Sequence, residues 1–488
     1  MEQIFIENEN ANIINQGRND LPKPDYEVCG ADYNKIDYWN FISNSFTDFE
    51  FRQKASVGLI KKRYFGLIIP DFAKIRLPAS YLDQEICTTT PKCEECPLRY
   101  NCEYYKDNSF VNASVTFADF FCGAGGLSLG FEWSGLYPTL ANDIDPWFIA
   151  TYHYNRPNYS TEISACDIQS WLEVNEHRTD WNIDIVSGGV PCQSFSNANR
   201  QRKDADPRDK LYSSLMKAAG LIKPKAILIE NVSGMIKEFE GVQSDLSNLG
   251  YDSDHIIINS KDYGIPQNRR RLFFIAFSKD YYVDSSSRVH KTIESIKNSK
   301  SDQNITLREA ITDLPTLAAH SKRNDTKFNN PISGTSFFYH NLTNASPYVA
   351  RVNGYKNNTT VFNHKARYNN NRDIEIFRIL KQGENSLAKS IEHIMPYGDR
   401  NAIFKDKYYK LQYDTYCKTI TAHMRYDCNM YIHPEQSRGL TTREAARVQS
   451  FPDDYVFLGN FQRLYQQVGN AVPPLLAAML GNAIKENI

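Results

Sequence analysis

The sequence predicts an α/β fold in which a doubly wound, mostly parallel sheet forms the main domain. Between residues 114 and 277, apolar runs alternate with polar stretches of helical character, as in sheets whose parallel strands are joined by helices. A glycine-rich turn follows the first run and a Pro-Cys-Gln tripeptide follows a later one, both at the edge where such sheets bind ligands. The predicted strands are residues 115–121, 138–142, 183–186, 226–229, 255–259 and 272–276.

The composition limits the classes of protein to which the chain can belong. With 488 residues it is long enough for two or three domains, and its net charge of −1 means that local patches would have to hold any nucleic acid. The 10 cysteines do not resemble a secreted disulfide framework, which belongs to small chains. The first residues are polar and acidic, and no apolar run reaches the roughly 18 residues of a membrane span. We therefore expect a cytoplasmic protein with no membrane partner.

Changes in composition predict four segments. Residues 1–113 form an N-terminal extension, and residues 114–277 form the α/β domain. Residues 278–437 lose the strand–helix rhythm and are rich in Asn, Ser, Lys and Tyr, which indicates a second, irregular domain. Within residues 438–488, Thr441 or Thr442 before Glu444 predicts a capped helix, and a final apolar helix is expected to rejoin the sheet.

The glycine-rich turn and two acids predict a nucleoside site. Gly123, Gly125 and Gly126 let the backbone turn tightly beside a ligand, but their spacing differs from that of a dinucleotide-binding turn. Asp143 and Asp167 each follow a predicted strand or short apolar segment, where an acid commonly accepts hydrogen bonds from ribose hydroxyls. For either acid alone, a solvated turn or a helix cap is the alternative.

Cys192 and Glu230 form a candidate nucleophile-and-acid pair. Each lies just past an apolar run, so both are expected at the ligand-binding edge of the sheet. A buried structural cysteine is the alternative for Cys192, since free cysteine packs well in protein cores.

These segments resemble the carbon-5 cytosine DNA methyltransferases, in the family's usual order and over about three quarters of the chain. The matching blocks are Phe117 to Gly126, Pro191-Cys192-Gln193, Glu230-Asn231-Val232, Gln267 to Arg271, Arg438 to Tyr455 and Gln467 to Pro474. The resemblance implies a Rossmann-like S-adenosylmethionine-dependent methyltransferase fold. It also implies the cofactor-binding residues Phe121, Gly123, Gly125, Gly126, Asp143, Asp167, Ile168 and Asn470, although the family often has Glu where this chain has Asp143.

The resemblance implies covalent chemistry at a flipped cytosine. Carbon-5 of cytosine is a poor nucleophile until a thiolate, here that of Cys192, adds to carbon-6. Glu230, which the environment would have to keep protonated, would donate to the ring N3. Arg269 and Arg271 would contact the cytosine oxygen and adjacent phosphates, although a basic strand edge paired with surface acids is the alternative.

The resemblance also implies double-stranded DNA as the substrate and a cognate restriction endonuclease in the same restriction–modification system. Residues 278–437 would be the target-recognition region. Its candidate residues for phosphate contacts and base-edge hydrogen bonds are Arg351, Lys356, Lys365, Arg367, Arg372 and Arg378, although for any one of them an ordinary solvated surface is the favoured alternative. A tRNA methyltransferase of the same family usually carries a Cys-Phe-Thr segment, which this region lacks. A catalytically idle DNA-binding regulator is disfavoured because Cys192 and Glu230 are both present.

Four cysteines in the N-terminal extension predict a metal site. Cys87, Cys93, Cys96 and Cys102 are separated by five, two and five residues, and thiolates this close in an intracellular chain favour a metal over disulfides. The segment is similar to the iron–sulfur loop of helix-hairpin-helix DNA glycosylases, which usually has six residues in the first gap. A [4Fe-4S] cluster and a zinc ion both remain open, as do four reduced thiols.

Overall fold

The computed structural model describes residues 115–156, 161–191, 209–321, 334, 337–396 and 407–488, together with the backbone of Tyr26–Glu27. The described residues divide into two compact units. The sheet unit comprises residues 26–27, the described part of 115–304, and 471–488, and the second unit comprises the described part of 305–470.

The sheet unit is built on one mostly parallel sheet, which confirms the predicted fold class. The strand order is β1-β4-β3-β2-β5-β6-β9-β7, where only β9 pairs antiparallel with its neighbours β6 and β7. The strands of this unit, including the short β8, are β1 (Tyr26–Glu27), β2 (Thr116–Phe120), β3 (Tyr137–Asp143), β4 (Glu162–Ala165), β5 (Ile185–Gly189), β6 (Ala226–Val232), β7 (Tyr251–Asn259), β8 (Gln267–Asn268) and β9 (Arg270–Ser278).

Helices follow most of the parallel strands, as the alternating pattern predicts. They are α1 (Gly126–Trp133), α2 (Pro146–Tyr154), α3 (Ile168–Asn175), α4 (Asp209–Ile222), α5 (Phe239–Asn248), α6 (Ser285–Asn298) and, near the carboxyl terminus, α12 (Pro474–Lys485). Trp171 of α3 is buried and packs edge-on against Phe120 at a centroid distance of 4.9 Å. The central strands are buried on both faces, so their sequences are mostly apolar rather than alternating, with Asp119 of β2 and Ser187 of β5 as buried polar residues.

The predicted final apolar helix is present as α12. It packs on α1, where a Cβ added to Gly130 would lie 2.4 Å from the Cβ of Ala477, so only glycine permits this approach.

Helix α6 lies in the segment predicted to be irregular. Its buried residues Val289, Ile293 and Ile296 share one face, and the helix packs on β7 and β9. The sheet unit therefore runs to residue 304, beyond the predicted boundary at 277.

The second unit contains short helices and a β-hairpin. Its elements are α7 (Leu307–Ile311), α8 (Pro347–Val352), α9 (Asn371–Ile379), α10 (Thr442–Val448), α11 (Phe461–Asn470), β10 (Phe337–Asn341), β11 (Asn358–Phe362) and β12 (Cys417–Lys418). The predicted capped helix is present as α10, where Thr441 and Glu444 form a reciprocal capping box.

Buried arginines hold the second unit together around α10. Arg447 makes two 2.7 Å hydrogen bonds to the carboxylate of Asp453 and also pairs with Asp313. Arg438 pairs in the same two-pronged way with Glu444. The guanidinium of Arg443 donates to three backbone carbonyls. Carboxylates of the same unit therefore compensate the charges of Arg447 and Arg438, and backbone carbonyls satisfy the donors of Arg443.

Candidate functional site

The glycine-rich turn joins β2 to α1 through several left-handed backbone conformations. Phe121, Gly123 and Gly125 have φ values of 56°, 56° and 77°, and a non-glycine residue such as Phe121 adopts this conformation only at a cost. A Cβ added to Gly123 would have no atom within 4 Å, so the turn leaves open space at this point. The amino terminus of α1 begins at Gly126, and such a terminus favours negative ligand groups.

Asp143, at the carboxyl end of β3, holds the glycine-rich turn in place. Its Oδ2 accepts a hydrogen bond of 2.9 Å from the Gly123 N–H, and its Oδ1 accepts one of 2.8 Å from the Asp145 N–H. Burial raises the pKa of Asp143 to about 7, against the lowering effect of these two hydrogen bonds. Both carboxylate oxygens are thus committed to backbone donors and retain lone pairs for a further donor.

Arg156 braces the same turn, a role that the sequence did not reveal. Its Nη2 donates to the Gly125 carbonyl at 2.8 Å, its Nε donates to Glu132 at 2.5 Å, and its guanidinium lies 3.8 Å from the ring centroid of Tyr152. A Cβ on Gly125 would lie 2.6 Å from Arg156 Nη1, so glycine is required where the two meet. No motif signals this contact, since it joins residues 31 positions apart.

Asp119 lies under the turn and is fully buried. Its carboxylate accepts hydrogen bonds from Ser128 Oγ at 2.5 Å and from Ser187 Oγ at 3.2 Å. Burial raises the pKa of Asp119 to about 6, and the two hydroxyl donors act against this shift. These contacts connect β2, α1 and β5 directly below the turn.

Asp167 is the N-cap of α3. Its carboxylate accepts hydrogen bonds from the backbone N–H groups of Gln169 and Ser170 and from the Ser170 hydroxyl. Partial burial raises the pKa of Asp167, but these hydrogen bonds outweigh that effect and lower it overall. The next residue, Ile168, is 1 % exposed and packs in the main core. The helix cap accounts for the position of Asp167 and leaves its role toward a ligand a prediction.

Ile144 is an apolar residue at this edge that the sequence analysis did not single out. It directly follows Asp143, yet its side chain is 63 % exposed. A large exposed aliphatic group beside the open space at the turn suits an apolar ring of a ligand. Its position one residue after the acid is the only sequence signal that could have identified it.

Glu230 lies near the carboxyl end of β6, directly beside the end of β5. It is in register with Gly189, and a Cβ on Gly189 would lie 3.4 Å from Glu230 Oε2. Pro191 follows two residues after Gly189. Cys192, the predicted nucleophile, lies outside the described residues, so its position relative to Glu230 remains a prediction.

Arg271 on β9 makes an ion pair with Glu230. Its Nε lies 2.9 Å from Glu230 Oε1, and both side chains are largely buried. This contact occupies one oxygen of Glu230 and leaves Oε2, on the side of Gly189, to meet a substrate.

The side chains of Arg269 and Asn231 contact backbone carbonyls. Arg269 is 1 % exposed, and its Nη2 donates to the Ala471 carbonyl at 2.9 Å, which joins the β8–β9 segment to the residues before α12. Asn231, also buried, has its Nδ2 3.4 Å from the Val190 carbonyl, next to Pro191. The two predicted arginines thus have different surroundings, since Arg271 contacts Glu230 and Arg269 contacts the Ala471 carbonyl.

The remaining predicted residues are not brought to this edge by the described contacts. Asn470 ends α11 in the second unit, and its side chain is exposed. Cys87, Cys93, Cys96 and Cys102 lie outside the described residues. Among the residues that the structure does describe, no cluster of three or more His, Cys, Asp or Glu side chains could hold a metal ion. Nor does that part of the chain contain a helix long and apolar enough to cross a membrane.

The geometry supports two functions at one edge of the sheet. The turn, Asp143 and Ile144 offer hydrogen-bond acceptors, a helix amino terminus and an apolar surface, a combination that fits the nucleoside and charged parts of S-adenosylmethionine. Two strands away from β2, on β6, Glu230 with Arg271 offers a positioned carboxylate beside the segment that leads to Cys192.

The chain is similar to several known proteins. Residues 115–486 match the family described as C-5 cytosine-specific DNA methylase. The chain is 33 % identical over 397 residues to the type II methyltransferase M.DdeI of Desulfomicrobium norvegicum, covering 76 % of this chain and 89 % of the relative. It is 30 % identical over 430 residues to the type II methyltransferase M.AgeI of Thalassovita gelatinovora, covering 75 % and 98 %.

One solved structure shares the fold. It is described as a DNA modification methyltransferase encoded within a prophage of E. coli, and it aligns with a TM-score of 0.58 at 24 % identity. The alignment covers 76 % of this chain and 99 % of the solved chain.

Proposed function

The chain belongs to the C-5 cytosine-specific DNA methylase family and is a DNA cytosine methyltransferase, and we propose that it methylates a flipped cytosine through a covalent adduct with Cys192. The observation that carries this mechanism is the placement of Glu230 on β6 beside Gly189 of β5, three residues before Cys192, with Arg271 on the far oxygen. A nucleophile and a carboxyl group are then at adjacent strand ends, where one base can meet both.

The proposed steps follow from the reactivity of cytosine. The Cys192 thiolate adds to carbon-6 while protonated Glu230 donates its proton to the ring N3 through Oε2, which makes carbon-5 an enamine carbon. When bound, S-adenosylmethionine would supply the methyl group that carbon-5 takes up and would leave as S-adenosylhomocysteine. A base then removes the carbon-5 proton, the N3 proton returns to Glu230, the carbon-5–carbon-6 double bond re-forms, and Cys192 leaves as the thiolate. Because a cytosine stacked in a duplex is unreachable, the base has to rotate out of the helix first.

Replacing Glu230 by glutamine should slow methyl transfer without weakening cofactor binding. The amide loses the ion pair with Arg271 and cannot exchange a proton with N3, so we expect the rate of the chemical step to fall roughly 10²–10⁴-fold. Single-turnover methylation of duplex DNA measures this rate, and calorimetry measures the cofactor affinity. An unchanged rate, or an equal loss of cofactor affinity, would contradict the assignment of Glu230 to the base.

S-adenosylmethionine is the cofactor expected for the family, and we propose that the turn formed by Phe121, Gly123, Gly125 and Gly126 holds it together with Asp143. Asp167, Ile168 and Asn470 are further proposed contacts. What supports the proposal is the open space beside Gly123, next to the acceptors of Asp143 and the exposed side chain of Ile144.

Replacing Asp143 by asparagine should weaken S-adenosylmethionine binding by about 1–3 kcal/mol. Each carboxylate oxygen accepts from a backbone N–H, so the amide NH₂ would have to face one of these donors and leave it unpaired. Asp143→Glu keeps two acceptor oxygens and is the matched control, for which we expect most of the affinity to return. Calorimetric titration distinguishes the two variants, and equal affinity in both would argue against this role.

We further propose that the enzyme is the protective methylase of a restriction–modification system, because the relatives reported above are type II methyltransferases. Bisulfite sequencing of host DNA after expression should then show cytosine methylation at one recurring sequence, and that DNA should resist a cognate restriction endonuclease. Methylation found in tRNA but not in DNA would instead favour a tRNA methyltransferase. Methylation of neither nucleic acid would favour a catalytically idle DNA-binding regulator.

The four N-terminal cysteines are proposed to bind one metal centre that stabilises the extension. Cys96→Ala should then lower the stability of the N-terminal segment while leaving the chemistry at Cys192 unchanged, because metal binding contributes folding free energy where a segment has little core. Anaerobically purified protein would be brown with an iron–sulfur cluster, or colourless with about one zinc per chain. Metal analysis that finds neither iron nor zinc would leave four idle thiols.

A further inference from the structure

An exposed turn of the second unit displays an arginine together with two aromatic rings. It consists of the 3₁₀ helix Ala422–Arg425 and the following Tyr426. The guanidinium of Arg425 lies 4.6 Å from the ring centroid of Tyr426, whose ring is 6.1 Å from that of His423. Tyr426 is 59 % exposed, and His423 is exposed as well. We refer to His423, Arg425 and Tyr426 as the 423–426 surface.

A buried arginine fixes the backbone beneath this surface. The guanidinium of Arg367 donates to three successive carbonyls, those of Met424 at 2.7 Å, Arg425 at 3.0 Å and Tyr426 at 2.7 Å. Arg367 itself is 6 % exposed, so it cannot serve as the phosphate contact that the sequence suggested. Its guanidinium instead orders a turn in which His423 and Tyr426 are exposed, and this ordering reduces the entropy that the turn would lose on binding a partner.

Thr419 and Thr421, which precede the 423–426 surface, are held by Tyr431 and by helix α11. Tyr431 Oη donates to the Thr419 carbonyl at 2.7 Å and accepts from the Thr421 N–H at 3.2 Å. Helix α11 packs so closely that a Cβ on Gly469 would lie 2.3 Å from the Thr421 carbonyl carbon. Arg367, Tyr431 and helix α11 therefore hold the turn, which is also anchored by the buried side chain of Met424.

The positive charge of Arg425 is not neutralised within the described part of the chain. No described carboxylate pairs with Arg425, whose Nη2 donates instead to Tyr426 Oη at 2.5 Å. The neighbouring Asp427 accepts from the Asn429 N–H at 3.2 Å. Arg308 provides a contrast, since it lies at the same 4.6 Å from the ring of Tyr413 but pairs with Asp414 at 2.8 Å.

We propose that the 423–426 surface contacts the sugar–phosphate backbone of the DNA substrate. This inference rests on the proposed function and adds a contact surface to it. The guanidinium of Arg425 neutralises one phosphate, and the rings of His423 and Tyr426 lie against the adjoining sugar or base. Arg367 is a positioning residue that acts through the turn. Because phosphate contacts carry no sequence information, this surface contributes affinity without selecting the recognised sequence.

The experiment compares Arg425→Gln and Tyr426→Ala with Arg308→Gln in the full-length protein. The control removes one charge from an arginine stacked on a tyrosine in the same unit, but one already neutralised by Asp414. Binding to a duplex with the methylated sequence and to a scrambled duplex is measured over a range of salt concentrations. Cofactor affinity, thermal stability and adduct formation at saturating 5-fluorocytosine duplex are measured in parallel.

We expect Arg425→Gln to weaken binding to both duplexes by roughly tenfold and to reduce the salt-dependence slope by about one. Tyr426→Ala should weaken binding with little change in slope, and Arg308→Gln should match the wild type. If Arg425→Gln and Tyr426→Ala bind both duplexes as Arg308→Gln does, the inference about the 423–426 surface is overturned and the proposed function stands. A loss confined to the specific duplex would also overturn it, in favour of base recognition. Wild-type protein that fails to methylate DNA would overturn the proposed function and this inference with it.

Discussion

Replacing Cys192 by serine should abolish methyl transfer while cofactor binding stays nearly intact. A serine hydroxyl is far less ionised than a thiol at neutral pH, so carbon-6 is not attacked and carbon-5 is not activated. Asp143 and the glycine-rich turn, proposed to hold the cofactor, are unaffected by the change. Methylation assays with labelled cofactor and calorimetric titration measure the two properties separately.

The covalent step itself is tested with 5-fluorocytosine DNA. Wild-type protein should form an adduct that survives denaturation, because fluorine on carbon-5 cannot be removed as a proton is, whereas Cys192→Ser should form none. If wild-type protein turns over normal DNA but never yields an adduct, the nucleophilic role of Cys192 is refuted.

Replacing Arg447 by methionine should destabilise the second unit by about 3–5 kcal/mol. The side chain of Arg447 is 1 % exposed and pairs with the buried Asp453 and the partly buried Asp313. Its loss removes the paired cation from Asp453 and leaves Asp313 with its contact to His340 Nε2 at 2.9 Å. Burial raises the pKa of Asp313, but the charge of Arg447 together with the hydrogen bonds to His340 and Arg447 outweighs burial and holds that pKa well below its usual range. Chemical denaturation, with hydrogen exchange of the α10 amides as a local probe, measures the loss.

The matched control is Arg378→Met on α9. Arg378 also pairs with an acid, Glu375 at 2.6 Å, but both side chains are exposed, and such pairs contribute little to stability. We therefore expect nearly wild-type unfolding for this variant. Similar stabilities for the two variants would show that the Arg447 network does not support the unit as we infer.

Much of the sheet unit could be predicted because its signals are local. The apolar run 226–229 and the glycine-rich turn are patterns of successive residues, and both appear in the structure as β6 and the β2–α1 connection. Helix α6 was missed because its polar composition hid the spacing of Val289, Ile293 and Ile296. The elements that pack around this helix, β7, β9 and α12, decide its place, and its own sequence does not show them.

In the candidate site, too, the sequence indicates some features and only the fold creates others. The family blocks of the sequence identified Glu230 and Arg271 as candidates, but their contact depends on the pairing of β6 with β9. The bracing of Gly125 by Arg156 has no counterpart in any motif. The positions of Cys192 and the four N-terminal cysteines are still predictions from the sequence.

By itself, the sequence determined the α/β fold class, the family and the candidate chemistry of Cys192 and Glu230, because these depend on residue types at fixed spacing. The tertiary structure alone decided what the arginines do. Arg271 contacts Glu230, Arg269 bonds the Ala471 carbonyl, and Arg367 orders an exposed turn instead of facing solvent. A guanidinium has the same charge and donors at every position, so its role is set by the carboxylates and carbonyls that packing brings within hydrogen-bonding distance.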